Sequence, residues 1–375
     1  MKFADWPDLA ARSLTGAVLA ASDESFAEKE CLVRDADPVF SPHTFGPRGQ
    51  VYDGWETRRR RTPGHDWAII RLGVPGVVHG VVVDTAFFKG NYPPEISVDG
   101  SSHDGYPSVD ELREARWEPV VPRSPVNGDA RNSFEAAESR RCTHVRLNIY
   151  PDGGVARLRV HGEPVPDPRT FGDLPIDLAA LSNGGAVVDA SNAFYSRPEG
   201  AIMPGRAQSQ ADGWETERRR GPGNDWMLLS LAGRGRVKVA ELDTTHLKHN
   251  APAAAALRGF DADSGADIDD PNAWRDLLPR TRLQPDTPHR FALAASEPVT
   301  HVWLDIFPDG GMARVRLFGV LTPDAHRLLL ERFAELGGLQ PPPHCVQPID
   351  LGALPATRDS APVDNLRNVE NPKWS

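Results

Sequence analysis

The chain has 375 residues, of which 25% are charged, and its formal net charge is −10 at pH 7. This charge argues against nucleic acid as the main partner, because phosphate binding needs a concentrated positive field. The cysteines Cys31, Cys142 and Cys345 show no CxxC spacing, which argues against disulfide or zinc-finger frameworks. No apolar run approaches the roughly 20 residues of a membrane helix, so we expect a cytoplasmic protein with no membrane partner.

In chain order, the first half contains short runs with strand character separated by abundant glycine and proline. These runs are 67–72, 77–83, 144–150 and 156–161. The last two alternate apolar with polar residues, which is typical of half-buried strands, and Pro151-Asp-Gly-Gly154 between them predicts a hairpin. The second half repeats this pair at 301–307 and 313–318. Many short strands with few helices predict a β-sandwich in each half.

Long blocks of sequence occur twice. Asp53-Gly-Trp-Glu-Thr57 returns as Asp212-Gly-Trp-Glu-Thr216, and each block continues into a run of arginines. Asp84-Thr85 with Lys89 and Asn91 returns as Asp243-Thr244 with Lys248 and Asn250, at the same separation of 159 residues. The block 148–157 returns as 305–314. Because this unit is far longer than a solenoid repeat, each copy should be a whole domain.

These repeats divide the chain into 1–166, 172–321 and 322–375. The first two segments are the sandwich repeats, joined by the proline-rich linker 163–168. In the third, residues 323–336 predict a short amphipathic helix that Gly337 and Gly338 end. The tail from Gln340 is either an ordered arm or disordered.

The doubled Gly-Trp-Glu-Thr and Asp-Thr…Lys-x-Asn blocks, with the opening Leu9-Ala-Ala, resemble the allantoicase family over about 9–162 and 178–319. The resemblance implies an all-β fold of two tandem jelly-roll β-sandwiches of galactose-binding-like type, with a short C-terminal helix and tail. It also implies a hydrolase acting on linear amidine C–N bonds, which converts allantoate to ureidoglycolate and urea in purine breakdown. Cys31 departs from the family pattern, which has Asn at this position.

Allantoate is a carboxylate whose α-carbon carries two ureido groups. To release urea, an acid must protonate the leaving nitrogen or a metal must polarise it. A base must activate water or deprotonate the remaining ureido nitrogen, and an arginine suits the carboxylate. The spacing of His and Asp residues indicates no metal site. We therefore predict no specific cofactor and leave a divalent metal as an open alternative.

Candidate site residues come from the repeated blocks. If the strand through Asp243 continues, residues 244, 246, 248 and 250 share one face, as do 85, 87, 89 and 91. Catalytic candidates are His246, Lys248, Lys89, Glu56 and Glu215. Substrate-binding candidates are Arg59, Arg60, Arg219, Arg220, Asn91, Asn250, Thr85 and Thr244. Phe87 replaces His246 in the first copy, which predicts a composite site with its acid or base in the second copy.

Each of these residues also has a purely structural interpretation. The glutamates could instead form ion pairs with their own arginine runs, and the Lys-x-Asn stripes could be solvent-facing edges. A non-catalytic carbohydrate- or ligand-binding protein could use exposed tryptophans, for which the candidates are Trp55, Trp67, Trp214 and Trp226. However, Trp67 and Trp226 open apolar strands and are predicted to lie in the core. A ureidoglycolate-processing enzyme would share the substrate chemistry. We expect a small-molecule ureide substrate and a homo-oligomer.

Overall fold

The computed structural model describes residues 2–137, 140–172, 174–294 and 297–337. The first repeat contains β1 (Ala17–Ala21), β2 (Phe45–Gly46), β3 (Gly49–Gln50), β4 (Trp55–Glu56), β5 (Asp66–Asp84), β6 (Glu95–Ser101), α1 (Val109–Glu114), β7 (Glu118–Pro125), β8 (Arg131–Glu135), β9 (Arg141–Tyr150), β10 (Gly154–Val155) and β11 (Arg157–Pro164). The second repeat contains β12 (Ile176–Asp177), β13 (Ala186–Ala190), β14 (Trp214–Glu215), β15 (Asp225–Asp243), β16 (Ala254–Phe260), β17 (Arg275–Arg282), β18 (Pro288–Ala292), β19 (Val299–Phe307), β20 (Gly311–Met312) and β21 (Arg314–Leu321), followed by α2 (Pro323–Glu335). Short 3-10 helices lie at Phe3–Asp5, Arg12–Leu14, Lys29–Val33, Pro168–Thr170, Leu181–Asn183, Pro198–Ile202, Gln210–Asp212, Ala262–Ser264 and Pro271–Ala273.

One long strand organises each repeat. The 19-residue β5 pairs through its first part with β1 and β9, and through its second part with β8 and β11. It therefore runs through both layers of the sandwich. In the second repeat, β15 pairs in the same way with β13 and β19, then with β18 and β21. The predicted fold class, two tandem jelly-roll β-sandwiches, is confirmed.

The core follows the period-two pattern of the strands. Val81, Val83, Leu147, Ile149 and Leu158 are all 0% exposed. A one-residue slip of any of these three strands would turn its buried side chains toward the opposite face, so their burial fixes the register. The same cluster of buried residues continues into the second repeat.

The prediction that Trp67 and Trp226 lie in the core is wrong. Their neighbours Ala68 and Met227 point inward and are 0% exposed, whereas the two tryptophans lie on the opposite face of the sheet. Arg113 covers the ring of Trp67 at 5.6 Å, so this outer face is itself partly covered. Strand parity, which the apolar character of a residue does not reveal, decides the face.

The tryptophans of the repeated Asp-Gly-Trp-Glu blocks lie inside. Trp55 and Trp214 are both 0% exposed, and their indole N–H groups donate to the carbonyls of Asp23 and Asn192, each at 2.8 Å. These bonds satisfy the one polar group that each ring buries. The carbohydrate-binding alternative therefore loses two of the aromatic side chains on which it depended.

The predicted hairpins at the Pro-Asp-Gly-Gly turns are also wrong. β9 and β11 both pair with β5 but along different parts of it, and they do not pair with each other. The turn instead carries the chain from one layer of the sandwich to the other. On the way, β10 pairs with β4, as β20 pairs with β14. Alternation of apolar residues predicts a strand but does not identify its partner.

The predicted C-terminal helix is confirmed as α2. The hydroxyl of Thr322 accepts the N–H of Ala325 at 3.2 Å and caps its first turn. Near its end, Phe333 lies under the guanidinium groups of Arg141 and Arg169, at 4.7 and 4.9 Å, so the helix packs on the first repeat. The tail from Gln340 lies outside the described residues. No helix in the described part of the chain is long and apolar enough to cross a membrane.

Candidate active site

A two-residue strand positions a glutamate in each repeat. Trp55 and Glu56 on β4 pair with Val155 and Gly154 on β10, and Trp214 and Glu215 pair with β20 in the same register. Because side chains alternate along a strand, burying the tryptophan turns the glutamate outward. The next residue, Thr57, is 3% exposed, and its hydroxyl accepts the N–H of Gly153 at 3.2 Å. This bond fixes the turn beside the glutamate.

Each glutamate is hydrogen-bonded to the repeated asparagine. Asn91 Nδ2 donates to Glu56 Oε1 at 2.7 Å, and Asn250 Nδ2 donates to Glu215 Oε1 at 2.6 Å. We call these the first and second Glu–Asn pairs. The carbonyl of Asn91 also accepts the N–H of Gly154 at 2.7 Å, which ties the asparagine loop to β10. The same Glu–Asn contact therefore forms once in each repeat, from equivalent residues that are offset by 159 positions in sequence.

The carboxyl group of Glu56 is electrostatically unusual. Burial raises its pKa above the usual value, and the hydrogen bond from Asn91, which favours the ionised form, offsets only part of the rise. Within the described residues, no arginine forms an ion pair with either Glu56 or Glu215, and Glu56 Oε2 has no hydrogen-bond partner. The alternative that these glutamates neutralise their own arginine runs is therefore not observed.

The predicted strand face at residues 244–250 is wrong, and so is its counterpart at 85–91. β5 and β15 end at Asp84 and Asp243, whose side chains accept the N–H groups of Ala86 and Thr245, both at 2.8 Å. This Asx-turn ends each strand. The residue that follows has a positive φ, 70° at Phe87 and 71° at His246. The Asn side chains reach the glutamates from a tight loop.

Thr85 and Thr244 lie beneath this loop. Both are 0% exposed, and their hydroxyls donate to the carbonyls of Asn127 and Gln284, each at 2.6 Å. With the hydroxyl hydrogen used and the side chain buried, these threonines hold the loop in place. Their predicted contact with substrate gains no support from this geometry.

His246 is held by two hydrogen bonds. Its backbone N–H donates to Asp286 Oδ1 at 2.8 Å, as that of Phe87 does to Asp129 Oδ1 at 2.7 Å. Its Nε2 lies 3.1 Å from the carbonyl oxygen of Ala207, which can only accept, so Nε2 carries the proton. That nitrogen is occupied in a structural contact, and its role in proton transfer stays a prediction.

The two repeated lysines are exposed. The Lys89 side chain is 78% exposed, with Nζ 3.8 Å from Asp129 Oδ2, and Lys248 forms no ion pair with any described residue. Ion pairs at such exposure contribute little to stability. Both amines can therefore approach a ligand in solution.

The arginines of the repeated blocks divide into two groups. Arg60 and Arg219 occupy equivalent positions, and each Nη2 donates to a buried carboxylate, Asp66 or Asp225. The exposed Arg59 and Arg220 form no ion pair within the described ranges. The first group thus has a structural partner, whereas the second remains available to bind an anion.

Comparisons with known proteins agree with this duplicated architecture. The family model of the Allantoicase repeat matches residues 7–165 and 176–322. A probable allantoicase of Nocardia farcinica is 56% identical over 322 residues, covering 85% of this chain and 95% of that relative. The allantoicase of Dictyostelium discoideum is 41% identical, covering 83% of this chain and 86% of its own. The crystal structure of Saccharomyces cerevisiae allantoicase has a TM-score of 0.70 and 32% identity, covering 84% of this chain and 93% of that structure.

The chain belongs to the allantoicase family. The resemblance predicted from its repeated blocks is confirmed, and with it the prediction of a hydrolase of the allantoicase type.

Sequence comparison of the allantoicase repeats missed several residues beside the glutamates. Gln210 Nε2 donates to Glu215 Oε2 at 2.7 Å. Phe26 and Tyr195, which are 46% and 64% exposed, donate their backbone N–H groups to the carbonyls of Glu56 and Glu215. Gln210 occurs in one copy only, so a search for repeated residues could not find it. The two aromatic residues could have been found from the repeat alignment.

Two cavities of this allantoicase-family chain lie away from the Glu–Asn pairs. One, of about 270 Å³, is lined by Ser101, Arg116, Arg141 and Cys142, among others. The other, of about 140 Å³, lies between Glu163 and Ala232. Neither is lined by a predicted site residue. In the described ranges, no group of three or more His, Cys, Asp and Glu side chains is placed to hold a metal ion.

Proposed function

We propose that this chain hydrolyses allantoate to ureidoglycolate and urea, and that the carboxylate of a Glu–Asn pair transfers the protons. Membership of the allantoicase family supports the reaction. The site is supported chiefly by the environment of the Glu56 carboxyl group. Burial raises its pKa, the Asn91 amide binds Oε1, and Oε2 has no partner among the described residues. Carboxyl groups tuned in this way are suited to general acid–base catalysis.

The chemistry needs one carboxylate that acts twice. First, the carboxylate accepts the N–H proton of the ureido group that stays, whose nitrogen lone pair forms a C=N bond as the other C–N bond breaks. The same carboxyl then donates that proton to the departing nitrogen, so that neutral urea leaves. Water adds to the C=N carbon, and the carboxylate passes a water proton to the imine nitrogen. The products are ureidoglycolate and urea, and the carboxylate is regenerated.

Neighbouring side chains supply orientation. The Asn amide occupies Oε1 and directs the free Oε2 toward substrate, which reduces the number of orientations that the carboxylate can adopt. The substrate carboxylate needs a cation, and we assign this role to Arg59, which is exposed and forms no ion pair within the described residues. Lys89 on the asparagine loop is a second cation available to the ureido oxygens or the carboxylate.

A double variant tests the site without assuming which pair is used. Purified Glu56→Gln/Glu215→Gln should release urea from allantoate about 10²–10⁴-fold more slowly than the parent protein, because both carboxylates are removed. Glutamine keeps an oxygen that can accept the Asn hydrogen bond, so the thermal unfolding midpoint serves as the folding control. Parent-like urea release by the folded double variant would remove the Glu–Asn pairs from the mechanism. No urea release by the parent protein would remove the reaction itself.

We further propose that the protein is a cytoplasmic homo-oligomer with the domain division 1–166, 172–321 and 322–375. Exposed apolar side chains support association, including Val39 at 71% and Phe45 at 69%. Light scattering of the purified protein should give a mass above the 41.0 kDa of one chain. A mass of one chain at all concentrations would contradict the oligomer.

A further inference from the structure

The two Glu–Asn pairs differ at the second carboxylate oxygen. Glu215 receives Asn250 Nδ2 on Oε1 at 2.6 Å and Gln210 Nε2 on Oε2 at 2.7 Å. Glu56 receives only Asn91 on Oε1, and its Oε2 has no partner within the described ranges. Counting back from the shared Asp-Gly-Trp-Glu block, Val51 stands where the second repeat has Gln210. Valine cannot donate a hydrogen bond, so the chemical cause of this difference is visible in the sequence.

The extra amide occupies one oxygen of the second carboxylate. The amide of Gln210 takes the oxygen to which the N–H of a ureido substrate would donate. Glu215 thus has both oxygens bound by neutral amides of its own chain, whereas Glu56 keeps one for substrate.

The charge beside the two Glu–Asn pairs also favours the first pair. Arg58 follows Glu56-Thr57, and its Nη1 lies 2.9 Å from Asp23 Oδ2, with the side chain 45% exposed. In the second repeat the equivalent residue is Glu217, which is exposed. Arg58 offsets the negative charge of Asp23, whereas Glu217 adds a negative charge that repels an anionic substrate. The first pair therefore has the more favourable surroundings for a carboxylate-bearing ureide.

We infer that the chemistry is confined to the first repeat, with Glu56 as the catalytic residue, and that Gln210 holds Glu215 in a capped, non-catalytic copy of the site. The inference rests on the proposed function, because it selects between two pairs that the proposed reaction could use. It reverses the division predicted from His246, which placed the acid or base in the second repeat.

Matched single variants of the full-length chain test the inference. We expect Glu56→Gln to lower kcat for urea release from allantoate by about 10²–10⁴-fold. We expect Glu215→Gln to change kcat by less than about threefold, since it removes a carboxylate that is already capped. Glu56→Asp moves the carboxylate by about one bond length and should lower kcat by on the order of 10²-fold, whereas Glu215→Asp should have little effect on kcat. Circular dichroism and thermal unfolding establish that each variant is folded.

The outcomes separate the inference from the proposed function. Loss of activity in Glu56 variants alone supports both. Loss in Glu215 variants alone, or in both sets, keeps the Glu–Asn pairs as the site but overturns their assignment to the first repeat. Parent-like activity in all folded variants overturns the inference and removes the pairs from the mechanism as well. If Glu56→Gln is unfolded, the Glu56→Asp and Glu215→Asp comparison decides in the same way.

Discussion

Arg60→Ala should destabilise the first repeat while leaving the folded enzyme active. Asp66 is 0% exposed and receives Arg60 Nη2 at 2.8 Å and the Ser22 hydroxyl at 3.0 Å. Removing one partner of a buried ion pair costs about 3–5 kcal/mol, because the other charge is left uncompensated. Ser22 would still donate, and Arg58 Nη1 lies 3.9 Å from Asp66 Oδ1. We therefore expect a smaller cost, about 2–4 kcal/mol.

This loss should be visible in thermal unfolding. At about 2–4 °C per kcal/mol for a domain of this size, the midpoint should fall by about 5–15 °C. Arg60→Ala/Asp66→Asn should recover much of the fall, because it removes the uncompensated charge. Arg59→Ala is the matched control, since its side chain is exposed and unpaired within the described residues. It should keep its midpoint and raise KM for allantoate.

The opposite pattern would refute this reasoning. An unchanged midpoint for Arg60→Ala, together with a raised KM, would show that Arg60 binds substrate as the sequence predicted. The Asp66 carboxylate would then be stabilised by groups other than this guanidinium. Measuring KM below the unfolding transition keeps the two effects apart.

Two further predictions concern proton transfer. Replacing His246 with Phe, the residue of the first repeat, should leave kcat within about threefold of the parent value, because Nε2 is already bound to the Ala207 carbonyl. A loss of kcat of about 10²-fold or more would restore the predicted acid–base role of His246. Since burial raises the pKa of Glu56 and the ionised form is the base, kcat/KM should fall with decreasing pH through a midpoint above the ordinary value of 4.5. A pH–rate profile with an acidic midpoint at or below 4.5 would contradict this assignment.

The duplicated fold could be predicted because it rests on long repeated blocks and strand periodicity. The partners of the strands could not be predicted in the same way. Runs 144–150 and 156–161 alternate correctly, yet each pairs with its own part of β5. Alternation reports that one face is buried, whereas pairing depends on how the turn at Pro151 directs the chain between layers.

Glu56 and Asn91 can both be named from the repeats, but their contact cannot, because the pattern at 85–91 predicts a strand where the structure has a loop. The signal against a strand was present at Asp84 and Asp243, since an aspartate before Thr-Ala or Thr-Thr can end a strand with an Asx-turn. The contact of Arg60 with Asp66 could not be predicted, because it forms only when the block folds back on itself.

Repetition of the Glu–Asn pair does not by itself identify chemistry, because the same residues also hold the structure together. A Cβ on Gly153 would lie 2.9 Å from the carbonyl oxygen of Asn91, and one on Gly310 would lie 2.3 Å from that of Asn250. Both turns thus pack closely against the asparagine loop, and their φ angles of 144° and 127° also favour glycine. This packing constrains both copies whether or not both react. The chemistry is therefore better located by what differs around the pair: Val51 and Arg58 in one copy, and Gln210 and Glu217 in the other.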